Sequence, residues 1–153
     1  MTTPDVTVII VSFNTRDLLR AALRAVQGSH GVTHEVFVVD NGSADGSADM
    51  VQGEFPDVRL IRNGDNRGFA AANNLAIRKA RGRFVLLLNP DTAVSPGAVG
   101  TLAAHLGDHP DVGICGPRIV YPDGSFQSCG YRFPSVWIDD PRPADADVGV
   151  VTK

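Results

Sequence analysis

The stretch Val6–Ser12, VTVIIVS, decides the fold. It is an almost unbroken β-branched run with no polar/apolar alternation. A strand open to water on one face alternates, whereas a strand covered on both faces does not. The run therefore reads as a strand of a mostly parallel sheet. Asn14 then offers an N-cap, with Asp17 near the positive end of a helix. Leu19, Ala22, Leu23 and Val26 follow at helical spacing, and Gly28 supplies a C-cap.

The same unit repeats along the chain. His34–Asp40, HEVFVVD, reads as a second strand, and a helix starts at about Ser47 and ends before Pro56. Val58–Arg62 is a short third strand. Phe69–Arg81 is an alanine-rich helix stopped by Gly82. Phe84–Leu88, FVLLL, is a fourth, central strand. Ser95-Pro96 reads as an N-cap with proline in the first turn, and Val99, Leu102, Ala103 and Leu106 form that helix's apolar stripe. Beyond Pro110, Val112–Cys115 reads as another strand. Pro122-Asp123-Gly124 reads as the turn of a β-hairpin between Arg118–Tyr121 and Ser125–Ser128. Strands alternating with helices define an α/β fold around a mostly parallel sheet.

Composition narrows the function classes. The chain has 153 residues, 43% hydrophobic, with a net charge of -3. Its basic residues are scattered, which argues against a nucleic-acid surface. Cys115 and Cys129 are too few for a disulfide scaffold and lack metal-ligand spacing, so both read as buried free thiols in a reducing compartment. No signal peptide or apolar run of membrane-spanning length is visible, so the expected location is cytoplasmic.

In open parallel sheets, ligands bind outside the carboxyl ends of the strands. Those ends carry Ser12-Phe13-Asn14, then Asp40-Asn41-Gly42-Ser43, then Asn89-Pro90-Asp91. After the third strand comes Asn66-Arg67-Gly68-Phe69-Ala70, with Asn73 and Asn74 on the next helix. Asp40 is an acceptor for a base N–H or a ribose hydroxyl. Gly42 permits a tight turn and close backbone approach. Arg67 offers charge to a base or phosphate. Asp91, after a rigid proline, is placed to hold a divalent cation against a diphosphate. Each of these has a plainer reading as a turn, cap or solvated side chain; together they favour a nucleotide site. Neither a P-loop nor a G-x-G-x-x-G fingerprint is present.

Three segments, VTVIIVSFNTRDLLRAAL, EVFVVDNGSADGS and NRGFAAANNLAIRKARGRFVLLLNPDTAV, resemble family 2 glycosyltransferases, and within them rhamnosyltransferase-like members. The resemblance covers roughly residues 6–133. It implies a GT-A, Rossmann-like fold and inverting transfer from a nucleotide-diphosphate sugar, of the dTDP or UDP type, with Mg²⁺ or Mn²⁺. The implied acceptor is a cell-envelope glycan or a lipid-linked sugar, with the chain soluble or peripheral at the inner membrane face. By position, Ser12, Phe13, Asn14, Asp40, Asn41, Gly42, Asn66, Arg67, Gly68, Phe69 and Asn89 would bind nucleotide, and Asp91 the metal. Asn89 departs from the family's D-x-D-like motif by removing one carboxylate. The family's catalytic base has no clear match, with Asp139 and Asp140 the nearest acids.

Residues 1–133 thus read as an incomplete donor-binding domain, and 134–153 as an irregular acidic, proline-rich tail. A truncated or degenerate module that binds nucleotide without turnover is the alternative. Loss of an acceptor half would expose apolar surface and promote self-association. A nucleotidyltransferase is a third reading, weakened by the lack of a glycine-rich loop after the first strand.

Overall fold

The computed structural model describes residues 3–121 and 123–127. Four strands, β1 (Val6–Ser12), β2 (His34–Asp40), β3 (Arg59–Arg62) and β4 (Phe84–Leu88), alternate with α1 (Arg16–Gln27), α2 (Ser47–Glu54), α3 (Phe69–Ile77) and α4 (Ala98–Asp108). The strands pair in parallel in the order β3-β2-β1-β4. All seven residues of β1 are buried, as its uniform apolar pattern requires.

Side chains alternate across β1 and sort into two cores. Val6, Val8 and Ile10 pack with Leu19, Leu23, Val26, Val51, Val99 and Leu106, so α1, α2 and α4 cover one face. Ile9, Val11, Phe37 and Val39 pack with Ala72 and Ala76, so α3 covers the other. Small alanines let α3 approach the sheet closely. All strands point their carboxyl ends to one edge, which is where the loops carrying the polar motifs collect.

Several expectations are corrected. Asn14 does not cap α1; Thr15 holds the cap position, and Asn14 takes a left-handed φ of 53°. The Arg16 N–H at the helix start instead donates to Asp45 Oδ2 at 2.9 Å, while Asp45 Oδ1 accepts the Ser47 N–H at 2.9 Å. One carboxylate thus serves the positive ends of both α1 and α2. α3 ends at Ile77, short of the expected Arg81, because the next residues turn to meet β4. α4 begins after Gly97, with Ser95-Pro96 forming the preceding turn. β4 is not central: among the described residues it pairs only with β1. Val112–Cys115 is not a strand.

The hairpin expectation holds at its core, through a Val120–Phe126 antiparallel bridge and Ser125 donors closing on Asp123 Oδ1. Ser128, Cys129, the 133/134 boundary, the tail and both Asp139 and Asp140 lie outside the described residues. Cys115 is buried and free, and burial raises its thiol pKa. No helix of the described residues is long and apolar enough to cross a membrane.

The opposite edge of the sheet is tied by Glu35. Its Oε1 accepts from Thr7 Oγ1 at 2.9 Å and from the Arg81 N–H at 2.8 Å, and the Arg81 guanidinium reaches Oε2 at 3.1 Å. Burial alone would raise the Glu35 pKa. It is outweighed by hydrogen bonds from Arg81 and Thr7 and by the charge of Arg59, so the net direction is down. A depressed carboxylate contributes stability above its unfolded pKa of about 4.3, and that contribution fades as pH falls through the folded value. Glu35→Gln is therefore expected to lower stability by about 2 kcal/mol at pH 7. The deficit should shrink below about pH 4.3 in denaturant melts. An equal deficit at pH 7 and pH 3 would contradict this assignment.

Candidate functional site

Adjacent strand ends bring the predicted motifs together. Ser12 at the end of β1 sits in register with Asp40 at the end of β2. Both are buried. Ser12 Oγ lies 2.9 Å from Thr15 Oγ1. Beyond them the two loops are cross-tied. The Asn14 N–H donates to Ser43 Oγ at 3.0 Å, and the Ala44 N–H returns a bond to Asn14 Oδ1 at 2.9 Å. The left-handed backbone of Asn14 thus shapes this crossing.

Asp40 is 3% exposed. Its Oδ2 accepts the Ser43 N–H at 3.0 Å. Its Oδ1 is buried and has no hydrogen-bond partner. A buried acceptor left unpaired costs about 1–3 kcal/mol, and more when charged. This position is thus a stability liability held at the edge where parallel sheets take ligands.

The loop after β3 closes over the same region. Asn41 is the hub: its Nδ2 donates to Asn66 Oδ1 at 3.1 Å and to the Gly68 carbonyl at 3.3 Å, while its Oδ1 accepts from Asn63 Nδ2 at 2.8 Å. Asn66 Oδ1 also takes the Gly68 N–H at 2.9 Å. Gly42 has φ of 81°, and a Cβ there would lie 3.2–3.3 Å from the Asp65 backbone. The glycine therefore serves both the turn and the close passage of the loop. Asn63 is a member of this network that the strand-end reading missed. Its signal was its place directly after β3.

Two aromatic rings stand at this edge, with Phe13 46% and Phe69 52% exposed. Arg67 is exposed and bonded to Asp65 Oδ1 at 3.1 Å. Asn89 and Asp91 are exposed after β4, where the Thr92 N–H donates to the Asn89 carbonyl at 3.2 Å to close a turn. Among the described residues no group of three or more His, Cys, Asp or Glu side chains converges on a metal-sized space. A hard divalent cation needs less than that from protein when substrate phosphates and water supply its other ligands. Asp91, with its exposed carboxylate, fits such a shared site, though a second protein acid is lacking at Asn89.

Fold and site together define a parallel α/β protein with a polar, partly unsatisfied edge beyond its strands. The chain belongs to glycosyltransferase family 2, whose description, Glycosyl transferase family 2, matches residues 7–140.

Succinoglycan biosynthesis protein ExoO of Rhizobium meliloti is 40% identical over 61% of the chain and 27% of its own length. The N-acetylglucosaminyl-diphospho-decaprenol L-rhamnosyltransferase of Mycobacterium tuberculosis is 31% identical over 66% of the chain and 36% of its own length. The chain thus spans about a third or less of these relatives. Among solved structures, the mannosyltransferase PcManGT of Pyrobaculum calidifontis, in complex with GDP-Man and Mn²⁺, is 29% identical with a TM-score of 0.66. It matches over 74% of this chain and 35% of that one. S. aureus TarS 1-349 in complex with UDP, at 22% identity and a TM-score of 0.63 over 69% of this chain and 33% of that one, shares the fold. These matches bear out the expected GT-A architecture.

Proposed function

We propose that the chain binds the nucleotide-diphosphate sugar donor of a glycosyl transfer, and that the carboxyl edge of β1, β2 and β4 is the donor site. The unpartnered Oδ1 of Asp40 carries this reading. A base N–H or ribose hydroxyl would supply the missing hydrogen bond. Phe13 and Phe69 offer exposed rings for packing against base or ribose. Asn41 shapes the loop rather than presenting free groups, because both atoms of its amide are bonded, to Asn63, Asn66 and Gly68. Arg67 supplies positive charge at the rim.

The reaction proposed is inverting transfer to a glycan or lipid-linked acceptor in cell-envelope polysaccharide assembly. A deoxyhexose such as rhamnose is the proposed sugar. Support comes from the rhamnosyltransferase relative and from the PcManGT complex, which holds GDP-Man and Mn²⁺. Asp91 would hold Mg²⁺ or Mn²⁺, which, when bound, offsets negative charge on the diphosphate leaving group. The chain's own contribution is to bind and orient the nucleotide. A binding module without turnover is the second reading; sugar transfer by this chain alone would refute it.

Calorimetric titration with UDP and dTDP, with and without Mg²⁺, tests the reading. Mg²⁺ is expected to tighten binding about tenfold, as a charge-assisted interaction on one diphosphate does. Asp91→Asn should lose that gain while keeping the metal-free affinity. A variant that responds to Mg²⁺ as the parent does would remove Asp91 from the metal site. No binding at millimolar nucleotide by folded protein would remove the function.

A further inference from the structure

The two outer strands of the sheet are built differently. β3 is four residues long and carries an exposed arginine at each end, Arg59 and Arg62. Short length and charge both keep an edge strand from pairing with another chain. β4, at the other side, is five apolar residues, FVLLL, with no charge among them. The Phe84 N–H turns inward, to the Asp5 carbonyl at 2.9 Å. Alternation along the strand then turns the N–H and C=O groups of Val85 and Leu87 outward. Among the described residues no strand pairs with that outer side. The side chains of Val85 and Leu87 are only half-buried.

We propose that the free edge of β4 pairs antiparallel with the β4 of a second copy of this chain, joining two four-stranded sheets into one. Three features point to a second copy. The outward groups lie on either side of Leu86, so a two-fold axis at Leu86 matches them. Val85 then exchanges both backbone hydrogen bonds with the partner's Leu87, and Leu87 does so with the partner's Val85. That register also sets apolar groups together throughout. Leu86 meets the partner's Leu86 and Phe84 meets the partner's Leu88, with no like charges opposed. Finally, the pairing is closed: it uses up both uncharged edges and leaves an arginine-flanked β3 at each end of the joined sheet. The pairing locates the expected self-association on β4 and does not depend on the donor-site reading.

The test follows sedimentation and amide hydrogen exchange of the full chain over a series of concentrations. The chain is expected to pass from monomer to dimer. Where nine-tenths of it is paired, the Val85 and Leu87 amides should exchange about tenfold more slowly than in the monomer, because only the unpaired tenth stays open. Val85→Lys should remain monomeric across the series, since it sets an ammonium beside the partner's Leu87. Val85→Thr, β-branched and uncharged, should dimerise as the parent does. Circular dichroism checks that both variants fold; if Val85→Lys does not, the exchange data on the parent decide alone. A parent chain that stays monomeric overturns the proposal. So do Val85 and Leu87 amides already slow in the monomer, which would mean that another segment of the chain covers the edge. Association with no change at those amides overturns it too, and moves the interface to the exposed apolar residues Ile114, Val120 and Tyr121 beyond α4.

Discussion

Asp40→Asn is expected to weaken nucleotide binding by about 10- to 150-fold while leaving the fold as stable as the parent, or more stable by up to about 1 kcal/mol. The two effects have one cause. Asn can keep an oxygen for the Ser43 N–H, now accepted by Asp40 Oδ2 at 3.0 Å. It replaces the unpartnered Oδ1 with an amide NH₂. The fold then no longer carries a buried, unpaired carboxylate oxygen. The ligand, however, meets a donor where it needs an acceptor, and loses a hydrogen bond to a charged group worth about 1.5–3 kcal/mol. Equilibrium denaturation and nucleotide titration on the same preparation read both quantities. Loss of stability with unchanged affinity would make Asp40 a structural residue.

The second large effect lies at the far edge of the sheet. Gly82→Ala is expected to destabilise the chain by about 3 kcal/mol, seen as a lower denaturation midpoint with little change in slope. A Cβ at Gly82 would meet the Thr7 backbone nitrogen and lie 2.7 Å from both Thr7 Oγ1 and the Val6 carbonyl carbon. Val6 and Thr7 belong to the fully buried β1, which cannot yield without disturbing its pairing with β2 and β4. The Gly82 N–H also donates to Thr7 Oγ1 at 2.9 Å, and Thr7 donates to Glu35. Gly53, in α2, has open space around its α-carbon. Gly53→Ala is the matched control and should be neutral or stabilising by up to about 1 kcal/mol. Equal destabilisation of the two would rule out the packing argument.

The sequence made the core of this fold readable because burial on both faces leaves a simple mark. β1 and β4 are nearly unbroken apolar runs and β2 holds one at Val36–Val39, and the observed strands keep the expected bounds. The start of α2 at Ser47 and the turn around Asp123-Gly124 were readable from local chemistry. Asn14 misled, since an asparagine before a helix fits a cap or a left-handed turn equally well. The choice was made by Ser43 and Ala44, which lie about 30 residues away. The rank of β4 within the sheet was also hidden: an apolar strand covered by α3 and α4 reads as buried even where one edge pairs with nothing among the described residues.

The candidate edge was legible as a set of positions but not as a set of hydrogen-bonding roles. Asn41 and Asn66 read as ligand contacts, yet their amides bond Asn63, Gly68 and each other. That network depends on β3 lying beside β2, a fact of pairing that no local pattern encodes. Asp40 and Asn73 share the same polar composition as their neighbours. Only burial and the tally of hydrogen bonds separate them as the residues with an oxygen left over.

The most direct test of the donor site is a titration of ¹⁵N-labelled chain with UDP and Mg²⁺, followed by amide shifts. The largest shifts are predicted at Asn41, Gly42 and Ser43 and across residues 66–69, where the loops meet beyond the strands. Saturation with no shift at those amides, or with shifts gathered instead around the groove formed by Gln52, Phe55 and Arg62 beside β3, would contradict the account.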